Sequence, residues 1–280
     1  MLIFRSVESA AKTRRTSCPV ASVLLAVSWL QPAAAQSNDL ERFSVSLGLF
    51  VTDRGTQLRL AGDVEVPDNG TDVDFENDLG FDASESVLRI DGYFRFNEVH
   101  RIDFSAFDLS RSASQQIQKD IEWDGEIYPI DTVVSAGLDM TIYKLSYTWS
   151  FVRRERGFVG ASIGAYVADI GTYLEANTLS QSSSHGLTAP MPVLGMRGQY
   201  DIADKWTLRG SAEYLLFDEG DFSGKLYDIY AGVDYQFFEH VAAGLGYNRV
   251  HFDIAVAKTN FNGDLDWRYD GALLFLKFDF

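Results

Sequence analysis

The chain has 280 residues, with 24 Lys and Arg against 40 Asp and Glu, and therefore a formal net charge of -16. A nucleic-acid-binding domain needs a basic face, so we expect no nucleic-acid partner for this acidic chain. Hydrophobic residues make up 46 % and charged residues 23 % of the chain, a composition that excludes general disorder.

Residues 1–35 have the pattern of a secretory signal peptide. Four basic residues lie before or beside a short apolar stretch at 20–30, which is too short to span a bilayer stably as a helix. An alanine triplet ending at Ala35 supplies the small side chains that a signal peptidase needs, and an N-terminal membrane anchor is the alternative. Cleavage after Ala35 would leave 36–280 as one domain without cysteine, because the single cysteine is Cys18.

Apolar and polar residues alternate with a period of two through most of the remaining chain. Between 206 and 216, for example, Trp, Leu, Gly, Ala, Tyr and Leu occupy alternate positions, with Thr, Arg, Ser and Glu between the first five. This pattern predicts ten strands, at 43–52, 86–96, 100–110, 138–151, 157–170, 191–201, 205–217, 224–237, 240–253 and 268–280. If one weak segment such as 43–52 is not a membrane strand, the alternative is a barrel of eight strands.

The connections between these segments alternate in length. Short connections lie at 97–99, 152–156, 202–204 and 238–239, and longer ones at 53–85, 111–137, 171–190, 218–223 and 254–267. A soluble sandwich or lipocalin-like barrel also alternates, but its apolar face points inward and its loop lengths need not alternate. Short turns on one side, long loops on the other and aromatic residues beside the turns are typical of an outer-membrane barrel.

The last segment ends in Phe280 and carries Ala272, Leu274, Leu276 and Phe278 on alternate positions. It resembles the terminal-strand signal that the outer-membrane assembly machinery reads, with Phe278 and Phe280 as the signal residues. The mature chain thus resembles the small outer-membrane β-barrel proteins of Gram-negative bacteria. The resemblance implies an all-β, transmembrane, antiparallel up-and-down β-barrel in the cell outer membrane, with lipid, lipopolysaccharide and the assembly machinery as partners.

The polar face of the predicted strands would line the lumen. Its charged residues are Arg89, Asp91, Arg95, Arg101, Asp103, Lys144, Arg197, Arg209, Glu213, Asp228, Asp234, Lys277 and Asp279. A pore selective for one sign of ion usually carries a one-sided ring of charge, whereas these charges are nearly balanced. We therefore expect ion-pair networks to fill the interior of a mostly closed barrel, and the alternative is a narrow passive pore.

The first long connection, 53–85, is strongly acidic. Its candidate metal ligands are Asp72, Asp74, Glu76 and Asp78, whose oxygen atoms suit Ca²⁺ or Mg²⁺. They lack the twelve-residue pattern of a calcium loop, and the alternative is a solvated acidic loop. Such acidic loops also suggest divalent cations as partners, bridging the protein to lipopolysaccharide phosphates.

His251 and Asp253, near the outer end of the ninth strand, are the candidates for a catalytic site at the extracellular rim. Outer-membrane proteases of the ten-stranded type use an Asp and a His at that rim, but in the order Asp-x-His rather than His-x-Asp. Motifs for nucleotide or redox cofactors are absent from the sequence, so we expect no cofactor. The sequence therefore favours a non-enzymatic structural or interaction barrel, with a rim hydrolase, protease or lipid-modifying, as the alternative.

Overall fold

The computed structural model describes residues 41–61, 71–123, 126–176, 181–219, 222–258 and 261–280, so the predicted signal peptide lies outside the described residues. Within these ranges, no helix is long and apolar enough to cross a membrane. The strands are β1 Phe43–Ala61, β2 Val73–Asp74, β3 Ser84–Arg95, β4 His100–Gln116, β5 Ile121–Trp123, β6 Glu126–Tyr128, β7 Val133–Arg154, β8 Gly157–Ala176, β9 Gln181–Ala203, β10 Trp206–Glu219, β11 Phe222–Phe238, β12 Val241–Lys258 and β13 Phe261–Asp279.

Ten long strands form one closed antiparallel barrel. Each pairs with the next long strand along the chain, and β13 pairs back to β1 in a register that runs from Ser44 opposite Asp279 to Ala61 opposite Asn262. The short strand β2 pairs with β1, and β5 and β6 form a separate hairpin. The predicted ten-stranded up-and-down barrel is confirmed. The eight-stranded alternative is wrong, because the segment 43–52 belongs to β1.

The strands extend beyond the segments that alternation predicts. The sequence assigns 171–190 and 254–267 to long connections, but β8 continues to Ala176, β9 begins at Gln181, and β13 begins at Phe261. Those two loop assignments are wrong for most of their length. The reason is that a strand leaving the membrane no longer needs a lipid-facing apolar row, although its backbone ladder can continue.

A belt of large apolar side chains lies on the outside of the barrel, toward the short turns. It includes Leu47, Leu49, Leu88, Phe94, Leu145, Tyr147, Trp149, Ile163, Leu194, Met196, Leu208, Tyr214, Ile229, Leu245, Tyr247, Leu274 and Leu276, all of them exposed. So wide an apolar surface would promote aggregation in water, whereas it matches the lipid-facing surface of a membrane barrel.

The polarity of both barrel faces reverses along the strands. On β13, Leu276 points outward and the neighbouring Lys277 is buried inside. Farther from the short turns, Asp266 and Arg268 point outward and Trp267 is buried inside. The same reversal occurs on β4, β7 and β12. The barrel therefore has a membrane zone, apolar outside and polar inside, and an outer zone, polar outside and apolar inside. Water surrounds the outer zone, so its apolar side chains are buried in the interior.

A cap covers the end of the outer zone. It consists of residues 71–83 and the β5–β6 hairpin, and it is tied to the wall by Arg111, which donates to Glu76 at 2.8 Å and to Thr56 at 2.7 Å. Its buried apolar side chains are Val73, Phe75, Leu79, Phe81, Ile121, Trp123 and Tyr128. The apolar core of the outer zone therefore continues into the cap.

Candidate functional site

A network of charged side chains from β4, β7, β9 and β10 crosses the interior of the membrane zone. Asp103 pairs with Arg101 and lies 3.4 Å from Arg197, which in turn reaches Glu213 at 3.2 Å. Glu213 also pairs with Lys144. Positive and negative groups thus alternate along the network, so each of these two carboxylates lies between two cations. Buried charges need such pairing to offset the loss of hydration.

Asp228 connects this network to the opposite wall. Lys144 Nζ lies 2.9 Å from the Asp228 carboxylate, and Asn248 Nδ2 donates to that carboxylate at 2.5 Å. Asn248 Oδ1 accepts a hydrogen bond of 2.6 Å from Arg89, which pairs with Asp91 at 2.9 Å. Polar contacts therefore run from β7 through β11 and β12 to β3, across the lumen.

A second group of ion pairs lies closer to the short turns. Arg209 pairs with Asp234 at 2.6 Å, and Lys277 lies 3.4 Å from Asp234 and 2.7 Å from Asp279. Arg95 is buried in the same part of the barrel. All the charged residues that the sequence assigns to the lumen therefore lie on the inner face, and the structure shows which of them are partners.

Spaces remain between these side chains in the described part of the barrel. A cavity of about 100 Å³ is lined by residues that include Arg101 and Arg197, and a vestibule of about 320 Å³ near the short turns is lined by residues that include Glu41 and Asp234. Burial raises the pKa of the Glu41 carboxyl at this end of the barrel. Polar spaces of this size hold water molecules readily.

An aromatic plug fills the interior beyond the networks. We use this name for Phe50, Phe107, Tyr166, Phe252, Trp267 and Tyr269, all buried. The Tyr269 ring lies 5.7 Å from both Phe50 and Phe107 and 4.7 Å from Trp267, which stacks on Phe252 at 5.2 Å. Rings at such separations attract one another beyond the effect of burial alone. The plug spans the barrel because Tyr166 on β8, on the opposite wall, lies 6.0 Å from Phe252 on β12.

Two residues join the aromatic plug to the charged network. The Arg89 guanidinium lies 5.7 Å from the ring centre of Phe50 and 5.6 Å from that of Phe107. Tyr166 donates a hydrogen bond from its hydroxyl to the Asp228 carboxylate. The polar and apolar layers of the interior are therefore in direct contact.

The aromatic plug is not predicted from the sequence, because alternation alone makes the polar face the expected inner face along the whole strand. That expectation is wrong for the outer zone. The signal is nevertheless present at 264–270, where Leu265, Trp267 and Tyr269 alternate with charged residues out of phase with the apolar row that follows. A reversal of phase within one strand marks the position where it leaves the membrane.

The acidic candidate residues Asp72, Asp74, Glu76 and Asp78 lie in the cap. Arg59 pairs with Asp72 at 2.6 Å, and this hydrogen bond lowers the pKa of the Asp72 carboxyl. Arg111 pairs with Glu76 and Lys119 with Asp78, whereas Asp74 accepts hydrogen bonds from Asn77. In the described part of the chain, no group of three His, Cys, Asp or Glu residues is placed to hold a metal ion.

His251 and Asp253 lie on the outer face of β12, since the alternate residues Val250 and Phe252 are buried inside. His251 Nε2 lies 3.1 Å from Asp266, and Asp253 lies 3.9 Å from Lys225. The structure therefore places the two candidate catalytic residues in separate pairs on the outer wall, away from the interior and the acidic segment of the cap.

The two phenylalanines of the proposed assembly signal lie at the seam of the barrel. Phe278 points outward and is opposite Val45 on β1 and Val241 on β12. The backbone N–H of Phe280 donates to Phe43 at 2.8 Å, and the two rings lie 6.1 Å apart. The end of the chain is thus part of the strand pairing that closes the barrel.

No family model matches the sequence, and no curated protein matches it. Among solved structures, the outer-membrane protease OmpT from Escherichia coli is similar with a TM-score of 0.56 at 9 % identity, covering 85 % of this chain and 97 % of OmpT. The chain has an outer-membrane β-barrel fold. At this identity the likeness concerns the fold alone and transfers no activity.

Two further barrels match with lower scores. Ail, the attachment invasion locus protein of Yersinia pestis, has a TM-score of 0.36 at 10 % identity, over 84 % of this chain and 99 % of Ail. The toluene transporter TodX of Pseudomonas putida has a TM-score of 0.35 at 8 % identity, over 85 % of this chain and 90 % of TodX. Both scores are below 0.5, so neither protein informs the role of this barrel.

Proposed function

We propose that the protein is a closed, non-enzymatic barrel of the outer membrane, which acts through its extracellular end rather than by conducting solutes. The observation that carries this proposal is the filling of the interior by three successive layers: the charged networks, the aromatic plug and the cap. The apolar belt supports a position in the membrane with the short turns on the periplasmic side. A conducting pore instead needs a continuous aqueous path lined by polar groups.

Conductance of the refolded protein in a planar bilayer tests the proposal. A protein that is folded, as heat-dependent mobility on a gel shows, is expected to give no steady channels. The Trp267→Ala/Phe252→Ala variant lacks two rings of the aromatic plug. Its conductance is measured in the same way, as a comparison with a barrel that has a thinner barrier. Steady channels in the wild-type protein would overturn the proposed closed state.

The segment from the β5–β6 hairpin to the start of β7 supplies an extracellular surface suited to contact with a partner. Ile127, Ile130 and Val133 are 59 %, 52 % and 55 % exposed, although each is a large apolar side chain. Apolar groups exposed together and surrounded by polar ones are typical of protein contact surfaces. The neighbouring Asp120 and Asp131 favour a partner with basic residues around its own apolar contact.

Lipopolysaccharide is a second proposed partner, bound through divalent cations. Asp108, Asp139 and Asp169 are exposed on the outer face where the apolar belt ends, and each accepts a hydrogen bond from a Ser or Thr hydroxyl. Carboxylates bind lipid phosphates only with a cation between them. The triple Asp→Asn variant is expected to abolish the part of lipopolysaccharide binding that Mg²⁺ supports and EDTA removes. Binding that is insensitive to both changes would contradict this role.

The alternative, a hydrolase at the rim, is predicted from the sequence for His251 and Asp253; because the structure pairs His251 with Asp266 instead, it now depends on His251 and Asp266. A histidine beside a carboxylate can act as a general base, but this pair lies on the outer wall. Peptidase or esterase activity that is lost in a His251→Ala variant would favour the hydrolase and contradict the non-enzymatic role. Activity that survives in this variant would not depend on His251 and Asp266.

A further inference from the structure

The membrane-facing wall over β8, β9 and β10 contains an apolar groove of about 550 Å³. Its floor is formed by Gly198 and Gly210, which lie opposite each other on β9 and β10. The larger side chains of Met196, Tyr200 and Leu208 lie beside these two glycines and are exposed. The belt therefore has a recess at this position, where lipid can approach the backbone.

The backbone leaves room for a side chain at Gly210, whereas Gly198 is more tightly placed. A Cβ atom on Gly210 would lie 3.5 Å from its nearest neighbour, the Tyr230 carbonyl oxygen, which is an ordinary contact. On Gly198 the nearest distance would be 3.3 Å, to the Phe158 carbonyl oxygen. By contrast, a Cβ on the inward-facing Gly195 would lie 2.4 Å from a backbone oxygen. A larger residue could thus occupy position 210, and its lack leaves the groove open.

A basic turn lies at the end of the groove. The end of β7 and the turn to β8 carry Arg153, Arg154 and Arg156 around Glu155, and Arg154 lines the groove. The other short turns carry acidic residues, or one acidic and one basic residue, and the chain as a whole is acidic. Positive charge on the short-turn side of the protein is therefore concentrated where the apolar groove begins.

We propose that this groove is a binding site for one anionic phospholipid of the periplasmic leaflet. An acyl chain would lie over Gly198 and Gly210, and the phosphate group would lie at Arg154. The proposal rests on the membrane orientation given under the proposed function. A guanidinium forms charge-assisted hydrogen bonds with phosphate oxygens, and an apolar recess gains from burying a hydrocarbon chain.

Charge favours a lipid over a second copy of the chain in this groove. In a two-fold dimer with its axis along the membrane normal, the same patch of each copy meets the other at the same height. Arg154, which lines the groove, would then lie near Arg154 of the second copy. An anionic headgroup neutralises the basic turn, whereas a second copy would double its positive charge.

Native mass spectrometry of the refolded full-length mature chain in detergent, with either phosphatidylglycerol or phosphatidylcholine added, tests the site. We expect one retained phosphatidylglycerol, with about tenfold preference over phosphatidylcholine. Arg154→Gln should remove the preference, and Gly210→Leu should reduce retention of both lipids. Gly210→Ala is a smaller filling variant in case leucine impairs folding. Arg42→Gln, at the short-turn end of the barrel beside Phe280, and Ala272→Leu, on the outer face of β13, are matched controls that should leave retention unchanged.

Equal retention of phosphatidylglycerol by the wild-type protein and both Gly210 variants would overturn the proposal. Dimers that disappear in Gly210→Leu would also overturn it and assign the groove to a second copy. Neither result bears on the proposal of a closed barrel, because conductance and heat-dependent mobility test that proposal separately.

Discussion

Lys144 shows what a single buried charge contributes to this barrel. Its ammonium group lies between the carboxylates of Glu213 and Asp228, and only 9 % of its side chain is exposed. Lys144→Met would leave both carboxylates in the interior with one cation fewer. We expect a loss of about 3 kcal/mol in the free energy of unfolding, because breaking a buried pair leaves an uncompensated charge.

Lys225→Met is the matched control for that variant. Lys225 is 63 % exposed and lies 3.9 Å from Asp253, so its loss should cost less than about 1 kcal/mol. Denaturant unfolding in detergent micelles, followed by tryptophan fluorescence and gel mobility, compares the two substitutions. Similar losses in both variants would show that the interior is hydrated well enough to tolerate a single unpaired carboxylate.

The pairing of Asp72 with Arg59 gives a prediction about pH. The pKa of Asp72 is lowered from its ordinary value of 3.8, so this pair contributes stability above that value and loses it as the pH falls below it. The contribution is small because 70 % of the Asp72 side chain is exposed. The carboxyl ¹³C shift of Asp72 should titrate at a higher pH in Arg59→Gln than in the wild type. An unchanged midpoint would mean that the pair is not formed in solution.

At the level of the residue, the sequence predicts which charges face the interior but not which of them pair. Inward orientation follows from alternation along one strand, which is a local property. Arg89 and Asn248 are in contact although 159 positions separate them, and this contact exists only because the barrel closes. The outward position of His251 is not predicted either, since the polar face changes sides between the two zones.

The long strands have one polarity pattern in the membrane zone and the opposite pattern in the outer zone. Only the pattern of the membrane zone is predicted from the sequence. All ten long strands are predicted because lipid imposes an apolar row on one face. The end of β8 and the start of β9 are not predicted. In the outer zone, water surrounds the barrel and the aromatic plug fills it, so the apolar residues lie on the inner face instead of the outer face. The cap is not predicted for a different reason: it is formed by two separate segments with only short strands, and its apolar residues become buried only when the barrel beneath it exists.

In the cap, the backbone conformation requires glycine at position 80. Its φ is +73°, and a Cβ atom there would lie 2.1 Å from Oε1 of Gln115. We expect Gly80→Ala to destabilise the cap by about 1–2 kcal/mol through backbone strain alone. Hydrogen exchange of amides in 71–83 should therefore speed up, while the membrane zone stays protected.

Gly171→Ala provides the control for the cap variant. Gly171 lies on β8, and the nearest atom to an added Cβ would be 3.9 Å away. Exchange in the cap should be unchanged in this variant. Faster exchange throughout the barrel in Gly80→Ala would instead show that the cap and the barrel unfold as one unit.

For the whole molecule, the reversal of polarity separates the tryptophans into two environments. Trp149 and Trp206 are 51 % and 44 % exposed on the membrane-facing wall, whereas Trp123 and Trp267 are each 1 % exposed, in the cap and the plug. Apolar surroundings are therefore provided by lipid for the first pair and by protein for the second. The four residues distinguish the two-zone barrel from one whose aromatic residues all face lipid.

Brominated lipids test this arrangement, because bromine quenches only tryptophans that it can approach closely. In variants that retain one of the four tryptophans, with Phe at the other three positions, Trp149 and Trp206 should be quenched strongly in bilayers. Trp123 and Trp267 should keep most of their fluorescence in the same bilayers and also resist the aqueous quencher acrylamide, since packed protein surrounds them. Lipid quenching of Trp267 as strong as that of Trp149 would place the plug residue in the membrane and contradict the reversal of polarity on which the closed barrel depends.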